Sequence, residues 1–229
     1  MDRQRLTLAA AFIAILMVLG GWLIYSAVIR SKNTFPVGSP PLDLKNSVPR
    51  VTVDMPKMRP PAIRPTDFMR YGGATSSASI VLFGDYGCRD CALMEKSIRD
   101  IVPKYRGLIR YVWRDLPKDN NQQELNAAVF ANCAGIQGKF WQVHDALMAS
   151  PTLDEFVFSN LTTQFKLDQK SLSSCRLDPM IEASIRSDAN AVGGDGVTST
   201  PILFIGTEAT KDIPTPTELD RRIKTFLGS

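Results

Sequence analysis

The residues with the most evident chemistry are two cysteines in the segment Cys88-Arg89-Asp90-Cys91. Apolar residues at helical spacing follow them, so the segment is expected to begin a helix, where free backbone N–H groups and the helix dipole favour a thiolate at Cys88. Cys88 is then the nucleophile. Cys91, one turn further on, can attack a mixed disulfide formed at Cys88 and release the partner. This spacing predicts thiol-disulfide exchange, for which we expect neither a cofactor nor a metal.

The charges near the pair leave its redox direction open. Arg89 favours the Cys88 thiolate, whereas Asp90 opposes it. Asp85, three residues before Cys88, is a candidate for carrying protons to or from the cysteines and is equally suited to cap the turn.

A zinc site is the competing interpretation, because Cys-x-x-Cys is also metal-ligand spacing. The other two cysteines, Cys133 and Cys175, lack the tight spacing of a second ligand pair, so no metal is predicted. His144 is the only histidine, and we expect a structural role for it because no Cys-His arrangement is visible in the sequence. Three aromatic residues that could line a substrate groove are expected to pack in the core instead: Tyr86, Phe140 and Trp141.

The elements around the cysteines follow the order strand, helix, strand. Residues 80–83 (IVLF) form a short apolar run typical of a buried strand. The helix that begins at the cysteine pair ends before Pro103. Residues 108–113 (LIRYVW) predict the next strand.

Helical patterns at residues 126–135, 139–148, 171–175 and 179–192 predict a helical insertion at about residues 121–192. Residues 201–205 (PILFI) then predict a strand, followed by a possible edge strand at about 208–213 and a last helix that Thr215 caps. A proline at the start of a strand is unusual. A cis bond between Thr200 and Pro201 would explain it, and an ordinary trans proline at a strand edge is the alternative.

The N-terminal third has a different composition. Residues 6–29 carry no charge, and about 20 apolar residues suffice to cross a bilayer. Residues 1–30 therefore predict a transmembrane anchor, with a cleaved signal as the alternative. Residues 31–76 are rich in proline and predict a semi-rigid linker, unless residues 51–53 pair as an edge strand. The net charge of +4 is small and the sequence has no dense basic stretch, so we do not expect nucleic acid as a binding partner.

Three stretches together resemble the DsbA-like family of extracytoplasmic thiol:disulfide oxidoreductases: IVLFGDYGCRDC, QGKFWQVHDALM and GVTSTPILFIG. The resemblance covers residues 77–229 and implies an α/β thioredoxin-like domain with the helical insertion at about 121–192. It implies disulfide exchange with exported proteins, with Cys88 and Cys91 as the active pair. Pro201 would be a cis-proline that faces this pair, and the main chain beside Thr200 would pair with the substrate.

The resemblance also implies a structural disulfide between Cys133 and Cys175, with free buried thiols or a second redox relay as alternatives. It also implies reoxidation by a quinone-linked membrane partner. The apolar segment predicts a protein of the inner membrane with its domain on the periplasmic side. The proline-rich linker cannot supply a packed dimerisation domain, so a monomer is expected. The central dipeptide departs from the family's more familiar ones, and threonine before the proline also occurs in reductases and isomerases. These departures leave the redox direction open, and oxidation of cysteine pairs is the expectation that the resemblance supplies. A reductase or isomerase with a membrane electron donor and a redox-silent peptide-binding chaperone are the alternatives.

Overall fold

The computed structural model describes residues 61–193 and 199–228. The anchor predicted at residues 1–30, most of the predicted linker and the alternative strand at residues 51–53 lie outside the described residues. Within the described ranges, no helix is both long and apolar enough to cross a membrane.

A mixed sheet forms the centre of the described chain, in the strand order β1-β3-β2-β4-β5. Strand β2 pairs in parallel with β3 and antiparallel with β4, so that Ile80 lies opposite Tyr111 and Ile205. Buried apolar side chains of the three central strands form one cluster on each face of the sheet, so both faces require cover. The strands are β1 (Met69–Arg70), β2 (Ala78–Gly84), β3 (Ile109–Asp115), β4 (Ile202–Ile205) and β5 (Glu208–Thr210).

Helices supply that cover. One helix connects β2 to β3, five follow β3 before the chain returns at β4, and one closes the described chain; a short 3-10 helix (Val102–Tyr105) follows the first. This arrangement confirms the predicted thioredoxin-like α/β fold, with its helical segment between the third and fourth strands. The helices are α1 (Arg89–Ile101), α2 (Gln122–Ile136), α3 (Phe140–Met148), α4 (Glu155–Gln164), α5 (Gln169–Arg176), α6 (Pro179–Gly193) and α7 (Pro216–Leu227).

The folded domain begins earlier than the sequence analysis predicted. Residues 61–76 were assigned to the linker, but β1 pairs with β3 through Met69 and Val112. The ring of Phe68 stacks on that of Phe140 at 4.2 Å. The linker assignment is therefore wrong for residues 61–76, because their apolar side chains and their pairing with the edge of β3 outweigh the proline content.

Candidate redox site

Cys88 and Cys91 lie where β2 ends and α1 begins. Cys88 is the N-cap of α1, and its sulfur accepts a hydrogen bond from the Cys91 N–H at 3.0 Å. The two sulfurs form a disulfide. Cys88 is partly exposed and Cys91 is buried, so an incoming thiolate reaches Cys88 first.

Gly84, the last residue of β2, gives the buried sulfur its space. A Cβ added there would lie 2.4 Å from the Trp113 ring and 3.1 Å from the Cys91 Sγ. Any larger residue would push the indole or the sulfur out of place. Glycine at this position is therefore part of the packing beneath the disulfide.

The second segment of the site is the start of β4. The Thr200–Pro201 bond is cis, and Pro201 is buried. Because Ile202 lies opposite Phe83 in the sheet, the two residues before β4 lie beside the turn that follows β2. The Thr200 hydroxyl donates a hydrogen bond to the Asp85 carboxylate at 2.6 Å, which joins the two segments directly.

Asp85 is a buried carboxyl group between two segments of the site. One is the turn at residues 85–88, here called the cysteine turn, and the other is the Thr200–Pro201 segment before β4. Its Oδ1 accepts a hydrogen bond from the Gly87 N–H at 2.9 Å, and a carboxylate oxygen lies within 4.8 Å of both sulfurs. Burial raises the pKa of Asp85, and the hydrogen bond from Thr200 opposes that rise. A carboxyl group with a raised pKa at this distance is suited to exchange protons with a sulfur.

Lys118 and Glu124 also belong to the site, and the sequence analysis missed both. Glu124 is buried and accepts hydrogen bonds from the Lys118 backbone N–H at 3.0 Å and from its Nζ at 2.8 Å. The Lys118 Nζ lies 3.8 Å from the Asp85 carboxylate. A Cβ added at Gly87 would lie 2.7 Å from the Glu124 Oε1, so glycine permits this approach. The ammonium group offsets part of the negative charge near the sulfurs.

A cleft of about 540 Å³ opens beside Cys88. Tyr86 and Arg89 line it on the side of the cysteine turn, and Met148 and Leu153 line it on the side of the helical segment. Tyr86 was predicted to pack in the core; it is only 5% exposed, yet it also forms part of this wall.

His144 has both ring nitrogens in hydrogen-bonding contact within the core. Its Nδ1 lies 3.1 Å from the Tyr86 hydroxyl and its Nε2 lies 3.2 Å from the Glu95 Oε1. Neither nitrogen is left to join the cysteines in a zinc site. These contacts support the structural role that the sequence predicted.

The remaining cysteines, Cys133 in α2 and Cys175 in α5, form a disulfide with a sequence separation of 42 residues. This is the pairing that the family resemblance implied. It joins two helices of the segment between β3 and β4.

A family profile described as thioredoxin matches residues 65–225. The chain belongs to the thioredoxin family. Among solved structures, this thioredoxin-family chain is similar to the thiol-disulfide exchange protein alpha-DsbA2 from Wolbachia pipientis, with a TM-score of 0.64 and 23% identity, covering 71% of this chain and 88% of that chain. It is also similar to a thioredoxin-like oxidoreductase from Silicibacter pomeroyi, with a TM-score of 0.64 and 22% identity, covering 72% and 95% of the two chains.

A periplasmic thioredoxin-like protein from Salmonella enterica is similar as well, with a TM-score of 0.59 and 22% identity over 72% of this chain and 92% of that chain. The resemblance to DsbA-like proteins, predicted from three sequence stretches, is thereby confirmed. The thioredoxin family and the Cys88–Cys91 pair together identify a thiol-disulfide oxidoreductase.

The curated relatives match this chain over only a small part of their own length. The chain is 29% identical over 136 residues to the Na(+)/H(+) antiporter NhaA 1 of Salinispora arenicola, which is 58% of this chain and 21% of that protein. A second antiporter, NhaA 3 of Salinispora tropica, is 30% identical over 138 residues, again 21% of its length. The chain thus spans about a fifth of the curated relatives it matches.

Proposed function

We propose that this oxidoreductase donates its disulfide to exported proteins. The observation that carries the proposal is the position of the Cys88–Cys91 disulfide at the N-terminus of α1, with Cys88 accessible and Cys91 buried. In that position the helix stabilises the thiolate that Cys88 becomes on reduction. A stabilised thiolate favours the reduced protein and makes the disulfide a better oxidant.

The exchange proceeds in two displacements. A substrate thiolate attacks the Cys88 sulfur, the bond to Cys91 breaks, and Cys91 leaves as a thiolate with the electron pair. Asp85, in its protonated form, supplies a proton to Cys91. A second substrate thiolate then attacks the substrate sulfur of the mixed disulfide and releases the Cys88 thiolate. Two substrate thiols become one disulfide, and the protein disulfide becomes two thiols.

The segment before β4 holds the substrate during these steps. Pro201 has no N–H to donate, and the main chain at Thr200 lies beside the cysteine turn. An extended substrate segment can therefore pair with the Thr200 backbone while its cysteine meets Cys88.

The rest of the proposal concerns the setting. Residues 6–29 anchor a monomeric protein in the inner membrane, and the domain lies on the periplasmic side. A quinone-linked membrane partner removes the two electrons and restores the disulfide. The apolar composition of residues 6–29 supports the anchor, and the periplasmic description of the Salmonella protein supports the location.

A disulfide reductase is the second candidate, and the carboxyl groups near the sulfurs favour it. Asp85 lies within 4.8 Å of both sulfurs, and Asp90 lies between the cysteines in the sequence. A negative charge destabilises a neighbouring thiolate, which stabilises the disulfide against reduction and lowers its potential. This chain would then receive electrons from a membrane donor.

The reduction potential of the Cys88–Cys91 pair decides between the two. The full-length protein in detergent is equilibrated with glutathione buffers, and the thiols are quantified by alkylation and mass spectrometry. A potential near about −120 mV supports a disulfide donor, and one near about −270 mV refutes it in favour of a reductase.

Trapping separates both redox functions from peptide binding alone. In a Cys91→Ser variant the Cys88 thiolate can attack a disulfide of an exported protein and displace one of its cysteines as a thiolate. The resulting mixed disulfide is expected to accumulate, because Cys91 is no longer present to release the exported protein. The matched Cys88→Ser variant should trap none. Equal capture of exported proteins by both variants, resistant to reducing agents, would instead indicate a redox-silent binding protein.

A further inference from the structure

A chain of buried polar groups connects the cysteine turn to α1, and the exchange steps above do not use it. The chain runs from the Tyr86 hydroxyl to the His144 ring at 3.1 Å and from that ring to the Glu95 carboxylate at 3.2 Å. The Tyr111 hydroxyl also donates to Glu95. None of these four residues is more than 5% exposed. Such groups are costly to bury unless every one of them is hydrogen-bonded.

The partners assign a direction to the chain. Glu95 accepts hydrogen bonds from Tyr111 and, at 3.3 Å, from the Arg99 guanidinium. The His144 Nε2 therefore donates to this carboxylate, and the Nδ1 on the other side of the ring is the partner of the Tyr86 hydroxyl. His144 thus connects Tyr86, two residues before Cys88, to Glu95 in α1, the helix that carries Cys91.

Four aromatic rings hold His144 in this orientation. The ring centroid of Trp113 lies 4.6 Å from that of His144, and that of Trp141 lies 5.2 Å away. Phe140 and Tyr86 lie at 5.6 Å and 5.4 Å. Contacts on this many sides restrict rotation of the imidazole, so Tyr86 is bonded to a partner with a fixed position.

We propose that His144 is a positioning residue for the substrate cleft, because it fixes the Tyr86 side chain that forms the cleft wall beside Cys88. This inference rests on the proposed exchange with protein substrates. His144 belongs to α3, and the opposite wall of the same cleft includes Met148 at the end of α3 and Leu153 just after it. His144 therefore connects the two walls, through its contact with Tyr86 on one side and through its own helix on the other.

A fixed cleft matters for a polypeptide and not for a small thiol. A peptide must fit between the walls to bring its cysteine to Cys88, whereas dithiothreitol needs only the accessible sulfur. Loosening Tyr86 should therefore slow exchange with peptides and leave exchange with dithiothreitol unchanged. An effect on the sulfurs themselves would change both rates together.

Three substitutions in the full-length protein test this. Tyr86→Phe removes the hydroxyl and keeps the ring. His144→Gln places its amide at the position of Nε2 and keeps the contact with Glu95 alone, whereas His144→Asn places its amide at Nδ1 and keeps the contact with Tyr86. Second-order rate constants are measured for oxidised protein with a dithiol peptide, for reduced protein with the corresponding disulfide peptide, and for both states with dithiothreitol.

We expect Tyr86→Phe and His144→Gln to lower the peptide rates by about two- to tenfold, the effect of losing one neutral hydrogen bond. The dithiothreitol rates should not change, and His144→Asn should retain peptide rates near those of the wild type. The double variant Tyr86→Phe/His144→Gln should be no slower than either single variant, because both remove the same bond.

Lower unfolding temperatures with unchanged peptide rates would overturn the inference and leave His144 a core residue only. Equal losses with peptide and dithiothreitol would also overturn it. If the wild-type protein exchanges with dithiothreitol and with neither peptide, the proposed function itself fails. That outcome is visible in the wild type alone, before any variant is compared.

Discussion

At the residue scale, the carboxyl groups of Asp85 and Asp90 oppose the helix N-terminus that stabilises the Cys88 thiolate. Asp85 is buried, so water screens its charge poorly, and its carboxylate lies within 4.8 Å of both sulfurs. Asp90 is exposed, and water screens its charge well. The buried carboxyl group should therefore have the larger influence on the reduction potential.

Replacing Asp85 by Asn should make the pair more oxidising. Asn is nearly the same size, its Oδ1 still accepts from Gly87, and its amide can donate to the Thr200 hydroxyl. Loss of the charge should lower the pKa of the Cys88 thiol in the reduced protein and raise the reduction potential by about 30 mV. Thiolate absorbance and glutathione equilibration measure the two quantities. Asp90→Asn is the control, and an equal or larger shift there would contradict the argument.

The residues of the site differ in how far the sequence could predict them. Cys88, Cys91 and the cis bond before Pro201 follow from local spacing and from the rules for prolines in strands. Lys118 and Glu124 could not be found in this way. They reach the cysteine turn only through the packing of the segment after β3, and a lysine six residues before a glutamate has no local signature.

At the element scale, the N-terminal boundary shows a limit of reading composition. Prolines up to Pro65 predicted a linker, yet the partly buried Phe68 packs against the core of the domain. A Cβ added at Gly135 would lie 2.2 Å from the Phe68 ring, so a glycine within α2 provides the space for this ring. The two positions are far apart in sequence, and neither reveals the other as its partner.

Phe68→Ala should destabilise the full-length protein by about 3 kcal/mol, because it removes a ring stacked on Phe140 and leaves a cavity. The free energy of unfolding in urea measures the change. Phe156→Ala is the matched control, since that side chain is 75% exposed and its loss should change stability by less than about 0.5 kcal/mol. Equal changes in the free energy of unfolding for the two substitutions would support the original assignment of residues 61–76 to the linker.

Helix α4 was not recognised in the sequence, although its neighbours were. Its segment, residues 155–164, is rich in aromatic and β-branched residues, which have modest helix propensity. The helix is stabilised instead by the Asp154 N-cap, which accepts from the Val157 N–H, and by Phe158, whose ring stacks on Phe130 at 4.7 Å. Tertiary packing of this kind overrides local propensity.

At the scale of the whole molecule, the disulfide between Cys133 and Cys175 closes a long loop and does not involve the cysteine turn. In a Cys133→Ala/Cys175→Ala variant the unfolded chain regains freedom, which should lower stability by about 4 kcal/mol for a loop of this length. The peptide exchange rate of the folded variant should not change. Urea unfolding and exchange assays test both statements, and loss of exchange by a folded variant would indicate a second redox relay.

The dependence of overall stability on pH should carry the signature of Asp115. This buried carboxyl group at the end of β3 accepts hydrogen bonds from the Trp113 indole and the Asn132 amide, each at 2.8 Å. Burial is the dominant cause and raises the pKa of Asp115 from 3.8 to about 6, while the two hydrogen bonds oppose the rise. The folded protein therefore holds this proton more tightly than the unfolded chain does.

A raised pKa in the folded state stabilises the protein fully below the unfolded pKa, and the stabilisation is lost as the pH rises through about 6. Relative to an Asp115→Asn variant, the free energy of unfolding of the wild type should thus fall by up to about 3 kcal/mol between pH 4 and pH 8. This size follows from the rise of the Asp115 pKa from 3.8 to about 6 on folding. Urea unfolding of both proteins at a series of pH values gives this difference, in which the contributions of other groups cancel. A difference that stays constant, or that rises with pH, would show that Asp115 is ionised in the fold without penalty.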